Sequence, residues 1–394
     1  MEVRRAAVID ARIRLDAAAT TGLHPEAREE MLACLEPEFG NPSSLYREGR
    51  RAKDAIDTAR ERLAVALDSL FAENLFTSSG TEAANLALVG TALAHEGSRR
   101  RVLMSAIEHH AVLHTRGLLE RLGFTVEVIP VDAQGLVRLD ALEASLDENV
   151  LLVSVMHANN EIGTIQPVRE VARLTERWGT LLHVDAVQTF LGDPEATGGW
   201  AAGDLGADLI SISAHKIHGP KGVGALWVRA GTPIAPLLSG GGQEREMRAG
   251  TENVAAIAGF GAAIGVQIKS VRSREAQRRG ARDAFLKELA LATRPWEATL
   301  QTQTPCLSGH AHIRFPGLSA ESMLIVLDRL RVSASSGAAC SSGSLEPSHV
   351  LLACGWTEEQ AREGLRFTFD DTIGEELARE GARRVIKAAD QVGR

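Results

Sequence analysis

Short apolar runs rich in β-branched residues recur along the middle of this chain, with helical patterns between them. That alternation limits what the chain can fold into more than any other feature. RVLMSAI (101–107), TVEVIPVD (125–132), VLLVSVM (150–156), LLHVD (181–185), DLISIS (208–213) and VGALWVR (223–229) read as strands, and PVREVARLTERWG (167–179) has a helical period. Strands that are apolar throughout, alternating with helices, predict an α/β fold with a mostly parallel sheet covered on both faces. The last third differs. It carries helical patterns over 272–293, 321–330 and 374–390, with short strands HIRF (312–315) and LRFTF (365–369) among them. This predicts a second, smaller α+β unit.

Composition narrows the function. A chain of 394 residues, 44% apolar and 24% charged, has enough material for a large core or two medium ones. A net charge of −8 argues against nucleic-acid binding. The small basic clusters GRRAK (49–53) and SRRR (98–101) read as solvated surface. The apolar run AAIAGFGAAIGV (255–266) is too short to cross a bilayer and reads as a packed helix. No apolar run follows a basic start, so no secretory signal and no membrane partner is expected. Four cysteines in so long a chain do not form a disulfide framework, so a reducing cytoplasm is the expected compartment. The four cysteines are far apart and have no metal-ligand spacing. Cys34 and Cys354 sit in apolar helical runs and read as core thiols. Cys340, in SSGAACSSGS (335–344), has no packing reason to be there.

In open α/β sheets, function collects at the carboxyl ends of the strands. Here those positions hold His109, Asn159 and Asn160, Asp185 and Gln188, and Ser213, His215 and Lys216. Only six of the 43 lysine and arginine residues are lysines, so one directly after a buried-type strand stands out. An enclosed lysine can become a nucleophilic amine, while the plain alternative is a structural or phosphate-binding lysine. Asp185 ends an apolar strand and needs a cationic partner if buried. A protonated pyridine ring is one candidate, a salt bridge or helix cap another. In SSGTEAANLALVG (78–90), Ser79 and Glu82 fit a capping box, and the helix end at Gly80 and Thr81 suits an anion such as a phosphate, while the plain alternative is simply a well-capped helix.

Taken together, these stretches resemble the cysteine desulfurases of the NifS/IscS type, fold-type I pyridoxal phosphate enzymes of aminotransferase class V. Matching segments span nearly the whole chain: LDAAATT (15–21), FGNPSS (39–44), FTSSGTEAAN (76–85), EHHAV (108–112), MHANNEIG (156–163), HVDAVQ (183–188), SAHKIHGPKG (213–222), MRAGTEN (247–253), SSGAACSSGSLEPS (335–348) and LRF (365–367). The resemblance implies a large cofactor-binding domain over 22–268. A small domain would comprise 1–21 and 269–394 and carry the cysteine loop at about 333–346. It implies that Lys216 bonds covalently to pyridoxal 5′-phosphate and that Asp185 pairs with the ring nitrogen. Gln188 and Asn160 would reach the ring's phenolic oxygen, and His109 would stack on the ring and serve in proton transfer. Gly80, Thr81, Ser213 and His215 would hold the phosphate, with Thr251 reaching the phosphate of a neighbouring subunit in a homodimer. Arg366, with Asn160, would bind the carboxylate of L-cysteine. Cys340, as thiolate, would take the sulfur as a persulfide and release alanine. Its Gly and Ser neighbours suit an arm that carries sulfur to an acceptor protein. Iron–sulfur assembly, tRNA thiolation, cofactor synthesis and DNA phosphorothioation all use such sulfur. The resemblance also admits Cys340 as a transient iron–sulfur ligand; no resident metal is expected.

Two departures stand out. The family continues after Arg-Phe with a Gly-Arg turn, where this chain reads FTFDDTIGEE (367–376), so Asp370 and Asp371 are expected to weaken Arg366's pull on a carboxylate or to mark a different acceptor surface. A Pro-Asn strand start is replaced by LSGHAHIRF (307–315). The alternatives to a desulfurase are a selenocysteine lyase, a C–S lyase releasing free sulfide, and a catalytically silent sulfur-assembly scaffold.

Overall fold

The structure is a computed structural model that describes residues 12–36, 39–336 and 346–393. Cys340 lies outside the described residues. Among those described, seven strands form one sheet: β1 (Asn74–Thr77), β2 (Arg101–Ser105), β3 (Thr125–Ile129), β4 (Val150–Met156), β5 (Leu181–Asp185), β6 (Leu209–Ser213) and β7 (Gly224–Val228). Their spatial order is β1-β7-β6-β5-β4-β2-β3. β7 runs antiparallel to β1 and β6, and the other pairs are parallel. All seven residues of β4 are buried, which is why that strand shows no polar alternation. The predicted strands at 101–107 and 125–132 end earlier, at Ser105 and Ile129. β1 was not among the predicted strands; at four buried residues it is too short to show a period.

Helices α1 (Pro25–Leu35), α2 (Arg47–Leu67), α3 (Gly80–Asn85) and α4 (Val254–Gln267) lie in the same part of the chain. The apolar run at 255–266 is α4, and it is buried along nearly its whole length. Gly259 and Gly261 let α1 and α2 approach it closely: an added Cβ would lie 2.6 Å from Met31 and 2.6 Å from Ala59. Cys354 is buried as expected, whereas Cys34 is only half-buried on α1. The SRRR cluster is not simply solvated. Arg99 donates to the carbonyls of Val150, Trp178 and Gly179, and Arg101 pairs with Glu127 and Asp147, fastening strand ends.

A second core gathers Ile13, Leu15, Phe285, Ile313, Phe315, Phe367 and Val385. It is built from α5 (Val271–Leu289), β8 (Glu297–Ala298), β9 (His310–Arg314), α6 (Ala320–Arg329), β10 (Gly364–Thr368) and α7 (Glu375–Val392). β8, β9 and β10 form an antiparallel sheet in the order β10-β9-β8. The segment before α1 joins this core to the seven-stranded sheet. Leu15 belongs to the second core, while Thr21 and His24 bond to the turn after β6.

Candidate active site

Strand order reverses between β2 and β4, because β3 lies outside β2 and β4 inside it. A crevice at the carboxyl ends is expected at such a point. There a cavity of about 300 Å³ is lined by Gly80, Thr81, His109, Asn160, Asp185, Gln188, Ser213, His215, Lys216 and Arg366. Of the predicted residues that are described, Thr251 is not in it: it is on the exposed segment before α4. Cys340 lies outside the described residues.

β6 ends at Ser213, and the next turn, Ala214–Lys216, brings the lysine into the cavity. Lys216 Nζ donates to the carbonyls of Ala18 (2.5 Å) and Ala19 (2.9 Å). Asp185, the last residue of β5, is buried between β4 and β6, and its Oδ1 accepts from the Val187 N–H at 3.0 Å. Burial pushes its carboxyl up to about 6, against the pull of the Val187 N–H and the Lys216 charge. That is the environment of a carboxylate waiting for a cation.

His109 precedes a short helix, and its Nδ1 accepts from the Ala111 N–H at 3.1 Å. Its proton therefore sits on Nε2. Burial, then the charge of Lys216 and the neighbouring imidazoles, lower its pKa to about 4, so the ring is neutral. With Nδ1 engaged, it is set up as a hydrogen-bond donor from Nε2. Burial and the charges of Lys216 and Lys221 likewise bring His215 to about 4. Asn85 ties α3 to the His109 turn by donating to Thr81 O and Ala111 O.

The Ser79 hydroxyl caps α3 by accepting from the Glu82 N–H at 3.1 Å. The expected capping box is half formed: the Glu82 carboxylate reaches the N–H and hydroxyl of Ser78 instead, and also pairs with Arg248. A Cβ on Gly80 would come within 3.0 Å of Val187 Cγ2 and 3.3 Å of Ser213 Cβ. The glycine keeps that cradle open.

Arg366 is buried on β10. Nη1 donates to Asn160 O (2.9 Å) and Nη2 to Asp16 Oδ1 (2.7 Å). The acid on Arg366 is thus Asp16. Neither Asp370 nor Asp371 reaches it: they bond to Thr372 and His218. Sequence reasoning missed Asp16, the Ala18 and Ala19 carbonyls, and Glu108. Glu108 is fully buried, accepts from the Met156 N–H at 2.6 Å, and is held well above the usual carboxylate range by burial. The available signal was position: LDAAATT and EHHAV flank the site, and small residues let a backbone approach.

A sheet-end lysine, a deep acid, a capped helix end and a buried arginine in one crevice define a pyridoxal phosphate enzyme site. The chain belongs to the aminotransferase class-V family, whose model matches residues 13–371. Within that family it falls in the cysteine desulfurase branch. It is 43% identical over 357 residues to cysteine desulfurase IscS of Dictyoglomus turgidum, covering 90% of this chain and 89% of that one. A solved NifS-like protein superposes with TM-score 0.89 at 33% identity, covering 96% of this chain and 100% of that chain. A structure of SspA in complex with cysteine matches at TM-score 0.80 and 30% identity, over 92% and 99% of the two chains.

The residues fit pyridoxal 5′-phosphate. The open cradle at Gly80 suits a phosphate at a helix end. Asp185 suits the ring nitrogen, and the Lys216 amine stands on the same cavity wall.

Proposed function

We propose that this chain removes sulfur from L-cysteine, giving L-alanine and a persulfide on Cys340. The single observation that carries this reading is the convergence of Lys216, Asp185, His109, Arg366 and the α3 end on one crevice. Bound there, pyridoxal phosphate supplies an electron sink at the substrate Cα. Gly80, Thr81, Ser213 and His215 would hold its phosphate. Asp185 would hold the ring nitrogen, Gln188 and Asn160 the phenolic oxygen, and His109 the ring face.

The chain's own groups do the rest. Arg366 keeps N–H donors beyond those spent on Asp16 and Asn160, enough to bind the substrate carboxylate through its fork. Asp16 fixes that guanidinium. The carbonyls of Ala18 and Ala19 give the Lys216 amine a place to stand when it is not covalently engaged, within the cavity where it moves the Cα proton. Ser335, five residues before Cys340, exchanges backbone hydrogen bonds with Arg366. On the other side, Ser348 donates to the buried Glu161 at 2.5 Å, and His349 Nε2 to Glu108 O at 3.0 Å.

Three further readings belong to the same proposal. The active form is a homodimer, because Thr251 is exposed in one chain and would serve the partner's phosphate. The working compartment is the reducing cytoplasm. The product sulfur passes to an acceptor protein, with iron–sulfur assembly and tRNA thiolation as the leading destinations. The division into domains at 22–268, with 1–21 and 269–394 apart, is supported by the large cluster around Val153 and Phe260 on one side and that around Phe285 and Phe367 on the other, with a smaller cluster joining Ile107 and Met156 to Val350 and Leu351 across the boundary.

Mass spectrometry after incubation with L-cysteine tests the activity. One added sulfur is expected on the peptide holding Cys340, with alanine released. Cys340→Ala should lose the added sulfur, and Lys216→Ala should lose both products. Cysteine turnover at the parent rate in Cys340→Ala would refute the persulfide route.

A further inference from the structure

The turn after β10 carries Asp370 and Asp371 where the family has Gly-Arg. Asp370 folds back on its own loop, accepting from the N–H (2.9 Å) and hydroxyl (2.5 Å) of Thr372. Asp371 reaches away from it. Its Oδ1 lies 2.8 Å from Nε2 of His218, and both side chains are largely buried. His218 stands two residues beyond Lys216. Its Nδ1 faces Gly22 O at 2.9 Å, and its backbone N–H donates to Thr21 Oγ1 at 2.8 Å. Both ring nitrogens thus face oxygen atoms, Nδ1 a backbone carbonyl and Nε2 a carboxylate. His218 also holds φ at +63°, a left-handed backbone that persists in a histidine only when its surroundings fix it.

The rest of the turn is fastened to the same strip of chain. Thr21 N–H donates to His215 O at 3.0 Å, and His24 N–H to His218 O at 2.9 Å. Together with the Lys216 bonds to Ala18 and Ala19, this makes residues 215–218 and 18–24 one zipped unit. Asp371 closes onto that unit from the second core. α5 adds charge behind it. Arg274, which donates to the carbonyls of Leu191 and Gln267, and Arg278, which pairs with Glu275, both act on the Asp371 carboxyl. Burial alone would push that carboxyl up, but its bond to His218 and the charges of His218, Arg278 and Arg274 outweigh this and hold it well below the usual range. The basic and imidazole groups around the turn are His109, His215, Lys216, His218 and Lys221, with Arg274 and Arg278 from α5. Facing them are Asp185, Glu275 and Asp371.

We propose that Asp371 is a positioning residue for Lys216, acting through His218. The buried pair clamps the 215–218 turn against residues 18–24 and supplies negative charge behind the lysine. The proposal rests on Lys216 as the amine that bears the cofactor, and it is tested in two arms so that the two readings fail separately.

The first arm uses the chain freed of cofactor. Asp371→Ala removes the carboxylate that stands 2.8 Å from His218 Nε2, so hydrogen exchange of peptides covering 214–222 should rise at least about fivefold, with α4 unchanged. Asp371→Asn keeps an acceptor oxygen and should stay within about twofold of the parent. The second arm uses the loaded enzyme and the pH midpoint of its visible absorption, which reports the proton on the Lys216 nitrogen. Both variants remove a negative charge, so that nitrogen should lose its proton at lower pH, by roughly half a pH unit or more. In Asp371→Ala, kcat should fall about tenfold while KM for L-cysteine stays within about twofold, because Arg366 and Asn160 are untouched. Asp371→Ala that melts earlier but keeps the parent's exchange, midpoint and kcat would reduce Asp371 to a structural contact and overturn the proposal. If Asp371→Ala does not fold, the midpoint of the near-isosteric Asp371→Asn decides: an unmoved midpoint overturns it. A parent enzyme with no visible band would instead overturn the reading of Lys216, while the exchange arm still judges the clamp.

Discussion

Asp185 states at the scale of one residue what the cavity is for. Its carboxyl binds a proton more tightly folded than unfolded, with a value raised from 3.8 to about 6. The sign follows. The stabilising contribution is complete below the unfolded value, and it is lost as pH rises through about 6. Above that, the cofactor-free chain carries a buried ionised acid, at a cost of up to about 3 kcal/mol by the conversion of about 1.4 kcal/mol per pKa unit. Asp185→Asn should therefore raise the melting temperature of the cofactor-free chain at pH 8, and the gain should vanish near pH 4. The same substitution should cost the loaded enzyme at least about 100-fold in kcat, because an amide cannot balance a ring cation. Calorimetry across pH checks the first half, and a variant no more stable than its parent at pH 8 would show that the acid is not strained there. Asp185 was legible in the sequence only together with Lys216 and the other residues at the strand ends, because alone a carboxylate at the end of LLHVD reads equally as a salt bridge or a helix cap. Asp16 was not. Its meaning depends on Arg366, 350 positions away, and no local pattern carries that distance.

At the scale of elements, α3 shows what a helix end contributes. Ser79 caps it, and Gly80 leaves the cradle between Val187 and Ser213 open. Gly80→Ala places a methyl 3.0 Å from Val187 Cγ2 and 3.3 Å from Ser213 Cβ, so the helix end must shift by a few tenths of an ångström. Alanine is the better helix former by about 0.5–1 kcal/mol, so the cofactor-free chain should melt no earlier. Pyridoxal phosphate should nevertheless bind at least about tenfold more weakly, since the N–H groups that would hold its phosphate have moved. Equilibrium dialysis measures this, and unchanged affinity would place the phosphate elsewhere. Long elements with a clear period were readable: β4 and β5 have the predicted bounds, and α5, α6 and α7 lie within a few residues of theirs. β1 was not readable, and neither was the continuation of α3 through a π turn at Leu86–Gly90, because both depend on partners brought in by the fold.

At the scale of the whole molecule, one chain leaves unfinished business at its surface. Phe39, Leu45 and Tyr46 are 70%, 88% and 58% exposed, and Leu238 is 47% exposed. Large apolar side chains exposed to this extent favour association. Thr251 lies on the exposed segment before α4, outside its own chain's cavity. Under the proposed dimer, each site takes Lys216 from one subunit and Thr251 from the other. Thr251→Ala should then leave the sedimentation of the dimer unchanged and weaken cofactor binding several-fold. Co-expression gives a sharper outcome at limiting cofactor. A Lys216→Ala chain alone is inactive, and a Thr251→Ala chain alone is poorly loaded. A mixed dimer joins the intact lysine of one to the intact threonine of the other and rebuilds one site of two. Random pairing makes about half the dimers mixed, so activity should recover to roughly a quarter of the parent's. Sites completed within single chains would give no recovery on mixing, and the dimeric site would then have to be abandoned.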